Sequence, residues 1–258
     1  MNKQDWPAFD EAMEYSLLNL RKIPKEGHWI TFEKNYNNYK QKTSSTSKIP
    51  KIIHQIWLGG QMPHAEFERC QAIEKSLPLD WKYKLWTDKD ISELTDFFNK
   101  DIFDASSNYG QKSDILRYYL LHKYGGIYCD TDFIFLKSFD QILDVEFFCG
   151  IAYDAKPNVQ NCIIGSSPGN NLISDLQNFD KPVSCGDAME VIDTTGPYHI
   201  TRKVFKHEEM FDNILFLPTS FVFPFPNFTE CQVLGKDYTR YIKPESFCCH
   251  LWACSWFK

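Results

Sequence analysis

The stretch SDILRYYLLHKYGGIYCDTDFIFL, residues Ser113 to Leu136, decides the fold. Its first half predicts a helix with one apolar face, formed by Ile115, Leu116, Tyr119 and Leu120. Asp114 and Arg117 are three residues apart and share a different face of that helix. Gly125-Gly126 predicts the end of the helix, because a residue without Cβ can adopt the left-handed conformation that closes a helix.

The second half of the stretch predicts a buried strand followed by an acidic turn. Ile127 to Cys129 are apolar without alternation, as in a strand covered on both faces. Asp130 and Asp132 then lie at the carboxyl end of that strand, where open α/β sheets bind their ligands. Two carboxylates there suit Mg²⁺ or Mn²⁺ shared with phosphate oxygens. The alternative is a solvated turn, which repulsion between two acidic groups behind a buried strand disfavours.

The elements around this stretch predict a mostly parallel, three-layered α/β sheet. Upstream, the patterns predict strands Lys51–Leu58 and Lys82–Thr87, a helix His64–Leu77, and a short helix capped by Asp90 and running through Phe98. Downstream, they predict strands Phe133–Leu136, Phe147–Ala152 and Val159–Gly165, a helix Asn170–Phe179 and a helix from Gly196-Pro197 through Phe205. Two prolines within Phe221–Phe228 predict an aromatic loop, a candidate for shaping a substrate-binding surface.

Residues 1–48 are expected to be a helical extension and linker before a main domain at 49–258. Asp5 to Lys22 predicts an amphipathic helix whose apolar stripe is Phe9, Met13, Leu17 and Leu20. Because its polar face is not enriched in Lys or Arg, we expect it to dock on the domain rather than on a membrane. The best linker in the chain is Thr43 to Ser47.

Composition limits the possible partners and location. A net charge of -6 over 258 residues, without a basic run, argues against nucleic-acid binding. Nine cysteines without metal-binding spacing indicate a reduced protein, and Cys129, Cys149 and Cys162 are interpreted as core residues. No signal peptide or bilayer-length apolar segment is apparent. The expected location is therefore the cytoplasm, with peripheral contact at the inner face of a membrane if the acceptor is lipid-linked. Oligomeric state is not readable.

Three further regions carry candidate ligand-binding side chains. Trp57 ends the first predicted strand just before Gly59-Gly60 and could stack on a base, although a core tryptophan fits equally well. In the tail FCCHLWACSWFK, His250 could be a third metal ligand, while Ser255 and Trp256 offer donors to a diphosphate. A strand rich in Trp and Cys is, however, also typical of a core.

Four stretches together resemble glycosyltransferase family 32, the Asp-x-Asp sugar transferases related to yeast mannosyltransferases and bacterial capsular enzymes. They are IPKIIHQIWLGG (Ile49–Gly60), WKYKLWTD (Trp81–Asp88), SDILRYYLLHKYGGIYCDTD (Ser113–Asp132) and HLWACSW (His250–Trp256). A fainter likeness extends to the catalytic domain of the clostridial glucosylating toxins. The resemblance implies a GT-A fold, a nucleotide-sugar donor, a divalent cation (Mn²⁺ or Mg²⁺) and retention at the anomeric carbon. It favours a UDP-hexose over GDP-mannose and a saccharide or glycolipid acceptor, as in polysaccharide biosynthesis.

The resemblance also implies roles for residues around the cation. Trp57 matches the residue that stacks on the nucleotide base. Asp130 matches the one that reaches the ribose and, through water, the metal. Asp132 corresponds to the direct metal ligand, and His250 would complete the metal site.

Further roles implied by the resemblance concern the sugar and the leaving phosphate. Asp114 and Arg117 match the pair that grips the donor sugar, and Asn161 would lie beside the transferred sugar. Ser255 and Trp256 would donate to the leaving phosphate. No residue stands out as a catalytic nucleophile, so retention suggests that the acceptor attacks from the face that the diphosphate leaves.

Two other functions use parts of the same pattern. Phosphotransferases of the haloacid dehalogenase type also carry Asp-x-Asp at a strand end, but a Thr or Val and then a helix follow. Here the corresponding residue, Ile134, lies in another apolar run. A non-catalytic carbohydrate-binding module would use the aromatic residues, 16% of the chain, without needing an acidic pair beside an arginine.

Overall fold

A six-stranded sheet forms the centre of the computed structural model, which describes residues 2–13, 26–43, 46–154, 156–180, 187–226 and 237–253. The strand order is β2-β1-β3-β6-β5-β7. The bounds are β1 Ile52–Trp57, β2 Lys82–Thr87, β3 Gly126–Cys129, β5 Phe147–Asp154, β6 Lys156–Ser166 and β7 Ile214–Leu217. Three pairings within it (β1–β2, β1–β3 and β5–β7) are parallel, whereas β6 runs antiparallel to both β3 and β5. The predicted mostly parallel α/β sheet is confirmed.

A second sheet joins the acidic turn to the end of the described chain. It pairs β4 (Phe133–Phe135) with β8 (Cys248–His250) in antiparallel register, so that Phe133 lies opposite His250. The helices that flank the two sheets are α1 Phe9–Ala12, α2 His28–Gln41, α3 His64–Ser76, α4 Asp88–Ser92, α5 Lys100–Ala105, α6 Tyr109–Tyr124, α7 Asn171–Leu176, α8 Ala188–Thr194, α9 Pro197–Val204 and α10 Thr219–Val222.

Helix α6 and strand β3 follow the predicted helix, stop and strand. The Asn108 side chain caps α6 by accepting hydrogen bonds from the amides of Gly110 and Gln111. Gly125 ends the helix with φ 63°, and Gly126 follows at φ 95°. A Cβ on Gly126 would lie 2.7 Å from the carbonyl oxygen of Ile52 on β1. This glycine therefore lets β3 enter the sheet directly beside β1.

The region after β2 differs from its prediction. Thr87, not Asp90, is the N-cap of α4, and the Asp90 carboxylate accepts hydrogen bonds from the Thr87 amide (2.8 Å) and hydroxyl (2.7 Å). The helix therefore begins before Asp90, and it ends at Ser92 rather than Phe98. Helix α5 was not predicted from the sequence.

The N-terminal segment packs on the edge of the central sheet. Phe9 and Met13 of the predicted stripe are buried, while Leu17 and Leu20 lie outside the described residues. Helix α2, which the sequence did not reveal, docks through Asn35, whose amide nitrogen donates to the Ile214 carbonyl (2.9 Å) and whose oxygen accepts from the Phe216 amide (3.1 Å). The boundary between residues 48 and 49 stays a prediction, since these segments share one hydrophobic core.

The aromatic loop predicted at 221–228 is confirmed at residues 223–226, which form neither helix nor strand, but it is wrong at residues 221–222, which are helical, and its rings do not lie at the surface. Thr219–Val222 is helical, and Phe221, Phe223 and Phe225 are at most 3% exposed. Phe223 packs against Trp252 with ring centroids 5.4 Å apart. These prolines and aromatics therefore fill the core rather than shape an acceptor surface, because Phe223 lies directly against Gly150 of β5 and Phe225 packs against Tyr241.

Candidate functional site

The carboxyl ends of β1 and β3 meet at one edge of the sheet. The two strands are parallel, with His54 opposite Tyr128, so Trp57 and Asp130 both follow at the same edge. Trp57 is half-buried, and its indole N–H donates to the Gly60 carbonyl at 3.1 Å. The structure thus places this predicted base-stacking residue at the edge that carries the acidic turn.

The backbone of the acidic turn is held from both neighbouring strands. The Gln55 side-chain amide on β1 donates to the Asp130 carbonyl at 2.9 Å, and the Asp130 amide donates to the Cys162 carbonyl on β6 at 2.9 Å. Gln55 is itself fixed by the Tyr83 hydroxyl, which donates to its side-chain oxygen at 2.7 Å. These bonds fix the Asp130 backbone between β1 and β6.

Arg117 is the buried cation of the site. Its guanidinium lies 3.0 Å from Asp114 Oδ1 and 3.4 Å from Asp130 Oδ1, and Nη1 donates to the Asn161 carbonyl at 2.7 Å. It also lies over the Tyr128 ring, 4.3 Å from the centroid. Arg117 is 4% exposed, so the two carboxylates compensate a charge that is almost fully out of water.

Asp114 accepts hydrogen bonds from two further side chains besides Arg117. Asn161 Nδ2 donates to Asp114 Oδ1 at 2.8 Å, and Thr195 Oγ1 donates to Oδ2 at 2.8 Å. The Tyr118 hydroxyl completes the network by donating to the Thr195 carbonyl at 2.7 Å. Burial raises the pKa of Asp114 to about 6, although Arg117 and the Thr195 hydrogen bond act in the opposite direction.

Asp132 pairs with His250 across the small sheet. His250 Nε2 lies 2.9 Å from Asp132 Oδ1, and the Ala253 amide donates to Oδ2 at 2.7 Å. Burial would raise the pKa of Asp132, but the His250 charge and hydrogen bond outweigh it and lower that pKa. Burial raises the pKa of Asp130, against the effect of Arg117 and with that of Asp132.

The donor set fits a divalent cation. Two carboxylates and an imidazole are suitable ligands for Mn²⁺, and less so for Mg²⁺. Two adjacent ligands of an octahedral ion lie roughly 3 Å apart at Mg²⁺-type bond lengths. Asp132 and His250 are already paired at 2.9 Å, and ligand atoms of His250 and Asp130 lie within 4.8 Å of each other, so the side chains that would hold the ion lie side by side.

The predicted residues divide into four groups by placement. Asp114, Arg117, Asp130 and Asn161 are joined by direct hydrogen bonds or ion pairs, and Asp132 and His250 form the adjacent pair. Trp57 lies at the same sheet edge. Ser255 and Trp256 lie outside the described residues, so their roles stay predictions.

Four residues at the site were not predicted for it from the sequence: Gln55, Tyr128, Cys162 and Thr195. Gln55 had a signal, since it is a polar residue within an otherwise apolar strand. Tyr128 and Cys162 are in apolar runs, as core residues are, and nothing in the sequence around Thr195 connects it to Asp114. The chain after Asp132 enters strand β4 rather than a helix, which disfavours the haloacid dehalogenase alternative.

Comparisons with known proteins agree with this geometry. The family model described as "Glycosyltransferase sugar-binding region containing DXD motif" matches residues 6–148. Inositol phosphoceramide mannosyltransferase 3 of Schizosaccharomyces pombe is 30% identical over 142 residues, 53% of this chain and 38% of that protein. Mannosyl phosphorylinositol ceramide synthase CSH1 of Saccharomyces cerevisiae is 30% identical over 205 residues, 75% of this chain and 50% of that protein. The chain thus matches at most half the length of either relative.

The fold has a counterpart among solved structures. PaToxG glycosyltransferase superposes with a TM-score of 0.50 at 20% identity, covering 69% of this chain and 76% of that one. The catalytic domain of alpha-toxin from Clostridium novyi matches more faintly, with a TM-score of 0.37 at 13% identity over 61% of this chain and 63% of that one. The superposition on PaToxG glycosyltransferase agrees with the predicted GT-A architecture.

Among the described helices, none has the length and apolarity needed to cross a bilayer.

The family model spans more than half of the chain and contains helix α6 and the Asp130-x-Asp132 turn. The protein therefore belongs to the glycosyltransferases whose sugar-binding region carries an Asp-x-Asp motif.

Proposed function

We propose that this chain transfers a hexose from a nucleotide sugar to a saccharide or glycolipid acceptor, with a divalent cation and with retention at the anomeric carbon. The observation that carries the proposal is the continuous polar cluster from Asp114 through Arg117 to Asp130, next to the Asp132–His250 pair at the carboxyl edge of the sheet. This arrangement offers hydroxyl-binding groups and cation ligands side by side, which a nucleotide sugar requires.

In this proposal Asp114 and Arg117 bind the sugar hydroxyls. Arg117 has fixed donors, because its guanidinium is held by Asp114, by the Asn161 carbonyl and by the Tyr128 ring. Asp114 accepts from Asn161 and Thr195, so its carboxylate has a defined orientation before any ligand arrives. Such pre-organisation supports sugar binding, since little rotamer entropy is lost when the ligand binds.

Asp130, Asp132 and His250 are proposed to hold Mn²⁺ or Mg²⁺ together with the donor diphosphate. The bound cation would supply Lewis-acid stabilisation of the charge that develops on the diphosphate. Trp57 is proposed to stack on the base, and its half-buried ring at the end of β1 is compatible with that role. Ser255 and Trp256 remain the proposed donors to the leaving phosphate.

Retention is proposed to proceed by attack from the face that the diphosphate leaves. The acceptor oxygen bonds to the anomeric carbon as the bond from that carbon to the phosphate oxygen breaks, and the acceptor proton passes to the departing diphosphate. Asp114 is unsuited to be a nucleophile, because both of its oxygens accept hydrogen bonds and it is paired with Arg117. Trapping of a covalent glycosyl-enzyme on any carboxylate would refute this mechanism.

The donor and acceptor are open to direct test. The resemblance in sequence favours a UDP-hexose, whereas two relatives are named for mannosyl transfer to an inositol phosphoceramide. Their names favour GDP-mannose as the alternative donor and a sphingolipid as an acceptor. A glycolipid acceptor would bring the protein to a membrane surface.

The test combines binding and turnover. Thermal unfolding is measured with UDP-glucose, UDP-galactose and GDP-mannose, each with Mn²⁺, Mg²⁺ or EDTA, and slow hydrolysis of each donor is followed in parallel. A ligand at 100 times its Kd adds about 2.7 kcal/mol to the free energy of unfolding. We expect one donor to stabilise the protein and to be hydrolysed, and both effects to vanish with EDTA.

Asp132→Asn is the critical variant. We expect it to reduce cation-dependent hydrolysis at least about 100-fold, because even the outer-shell partners of a metal ligand are worth 10- to 100-fold. Asp104→Asn is the matched control, since Asp104 pairs with Lys100 on the surface of α5. Unchanged turnover in Asp132→Asn would overturn the proposal. Sugar binding that is unchanged by EDTA would favour a carbohydrate-binding module. Hydrolysis of phosphomonoesters without hydrolysis of nucleotide sugars would favour a phosphotransferase.

A further inference from the structure

A cysteine lies beside two of the proposed cation ligands, Asp130 and His250. The ligand atoms of Asp130, Cys162 and His250 all lie within 4.8 Å of one another. Cys162 and His250 are both at least nine-tenths buried, whereas the Asp130 carboxylate is partly exposed. A thiol, an imidazole and a carboxylate thus converge at one point of the site.

Strand alternation explains why Cys162 points here. Neighbouring side chains of a strand lie on opposite faces, and Asn161 directs its amide to Asp114 on α6. Cys162 therefore lies on the other face of β6, the side on which His250 and Asp132 meet. Its own backbone carbonyl accepts from the Asp130 amide at 2.9 Å, so the distance between β6 and the acidic turn is fixed.

One ring nitrogen of His250 is free to bind a ligand. Its ring is clamped between Phe133 and Trp252, with centroids 4.5 and 4.3 Å away. Nε2 lies beside Asp132, while Nδ1 is buried and has no hydrogen-bond partner within the described part of the chain. A buried ring nitrogen without a partner costs free energy unless a ligand satisfies it.

We propose that Cys162, His250 and Asp130 form a thiophilic metal site that binds Zn²⁺-class ions in competition with Mn²⁺ or Mg²⁺. Thiolate and imidazole select zinc-class ions, and Zn²⁺ binds such ligands more tightly than Mn²⁺ does. Tetrahedral ligands of zinc lie about 3.3–3.8 Å apart at its usual bond lengths. The three ligand atoms lie within 4.8 Å of one another, so each pair must approach by at most about 1.5 Å, which side-chain rotations can supply. The thiol gives up its proton to solvent as the sulfur–metal bond forms, so no redox partner is needed.

This inference goes beyond the proposed function, because it concerns binding of an ion that needs no nucleotide sugar. Its consequence is that a thiophilic ion occupies Asp130 and His250 and excludes the cation that the transferase reaction would use. Traces of zinc would then inhibit the protein reversibly.

The test uses Cd²⁺ as the probe, because its thiolate complexes have a charge-transfer absorbance that Mn²⁺ and Mg²⁺ complexes lack. The full chain is titrated with Cd²⁺, and release of bound Mn²⁺ is followed by its EPR signal. We expect one Cd²⁺ per site to develop the band and to release Mn²⁺. Cys162→Ser and His250→Ala should lower Cd²⁺ affinity at least about tenfold and remove the band that belongs to this site.

Cys149→Ser is the matched control. Cys149 is equally buried on the neighbouring strand β5, and burial alone raises the pKa of its thiol, without a charged neighbour. If Cys162→Ser does not fold, Cys162→Ala replaces it. A Cd²⁺ band and Mn²⁺ release that persist in the folded Cys162 variant would overturn the inference. Turnover of nucleotide sugars by the unmodified chain is measured separately, so that this inference and the proposed function fail independently.

Discussion

The hydroxyl of Tyr128 donates to Asp130 Oδ1 at 2.6 Å, while the face of the same ring covers the Arg117 guanidinium at 4.3 Å. One buried side chain thus positions both the first carboxylate of the Asp-x-Asp turn and the cation beside it. Burial keeps the pKa of Tyr128 well above its ordinary value, so the hydroxyl stays a donor over the physiological range.

Tyr128→Phe should therefore weaken cation and donor binding while preserving the fold. A hydrogen bond to a charged group contributes about 1.5–3 kcal/mol, so we expect the Kd for Mn²⁺ to rise about tenfold or more. The ring over Arg117 remains, so the protein should still fold, with a melting temperature lowered by several degrees. Titration calorimetry and thermal unfolding measure the two effects. Tyr119→Phe, which loses a bond to the exposed Asp96 on the other side of α6, is the control. Equal Mn²⁺ affinity in both variants would contradict the role assigned to Tyr128.

Thr195 is predicted to position Asp114 from the junction of α8 and α9. Thr195→Val keeps the shape of the side chain but removes the 2.8 Å hydrogen bond to Asp114 Oδ2. That bond stabilises the ionised carboxylate, so its loss should raise the Asp114 pKa above its value of about 6. The KM for the donor should increase several-fold, and the loss of donor binding on acidification should begin at a higher pH.

The matched control for Thr195 is Thr201→Val. The Thr201 hydroxyl bonds only backbone groups, accepting from the Val159 amide and donating to the Pro197 carbonyl. The Thr201→Val variant should lower the stability of the protein without shifting the pH dependence of the KM for the donor. A profile that is the same for the Thr195 variant and the unmodified protein would show that Thr195 has a structural role only.

The stability of the protein should fall on acidification because of buried neutral His54. Its Nε2 donates to the Gly125 carbonyl at 2.9 Å and Nδ1 accepts from the Trp86 indole at 3.1 Å, and burial lowers its pKa to about 4. Between pH 6.5 and 4 the unfolded chain binds a proton that the folded chain does not, so the free energy of unfolding rises with pH across that window. The contribution is complete above pH 6.5 and is lost on acidification, by about 1.4 kcal/mol per pH unit.

The raised pKa of Asp114 makes the free energy of unfolding fall with pH between about pH 4 and 6, opposite to the effect of His54. A variant that lacks His54 is therefore needed to isolate the His54 contribution. The free energy of unfolding is measured by denaturant titration from pH 4.5 to 7 for the unmodified protein and for His54→Gln. The variant should show the shallower dependence on pH, and His64→Gln, at an exposed position, serves as the control. Parallel curves for the unmodified protein and His54→Gln would contradict the prediction.

Gly126→Ala should destabilise the protein by more than its backbone torsion alone. Gly126 and Gly60 have nearly equal torsions, φ 95° and 99°, but a Cβ on Gly126 would lie 2.7 Å from the Ile52 carbonyl, whereas nothing lies within 4 Å of one on Gly60. Both variants incur a torsional cost of about 1–3 kcal/mol. We expect Gly126→Ala to exceed Gly60→Ala by at least about 1 kcal/mol in denaturant titration, because backbone must move. An equal loss of unfolding free energy in the two variants would contradict the prediction, because it would show that the β1 backbone can move away from the new Cβ at no cost.

Local patterns in the sequence determined the elements on which the site is built. The helical period before Gly125-Gly126, the unbroken apolar strand and the Asp-x-Asp turn each depend on neighbours a few residues away. Helix α6, strand β3 and the position of Asp130 at the strand end accordingly match their predictions. Residues whose placement depends on distant packing were missed or misassigned, as for α2 and Phe223.

What the sequence by itself determined is the α/β order of the chain and the acidic turn at the end of a buried strand. Only the tertiary structure decided which distant groups meet that turn: Thr195, 81 residues beyond Asp114, and His250, opposite Phe133 on a separate small sheet. The physical reason is that helix and strand periods arise from short-range geometry, whereas a contact between distant residues depends on how the whole core packs.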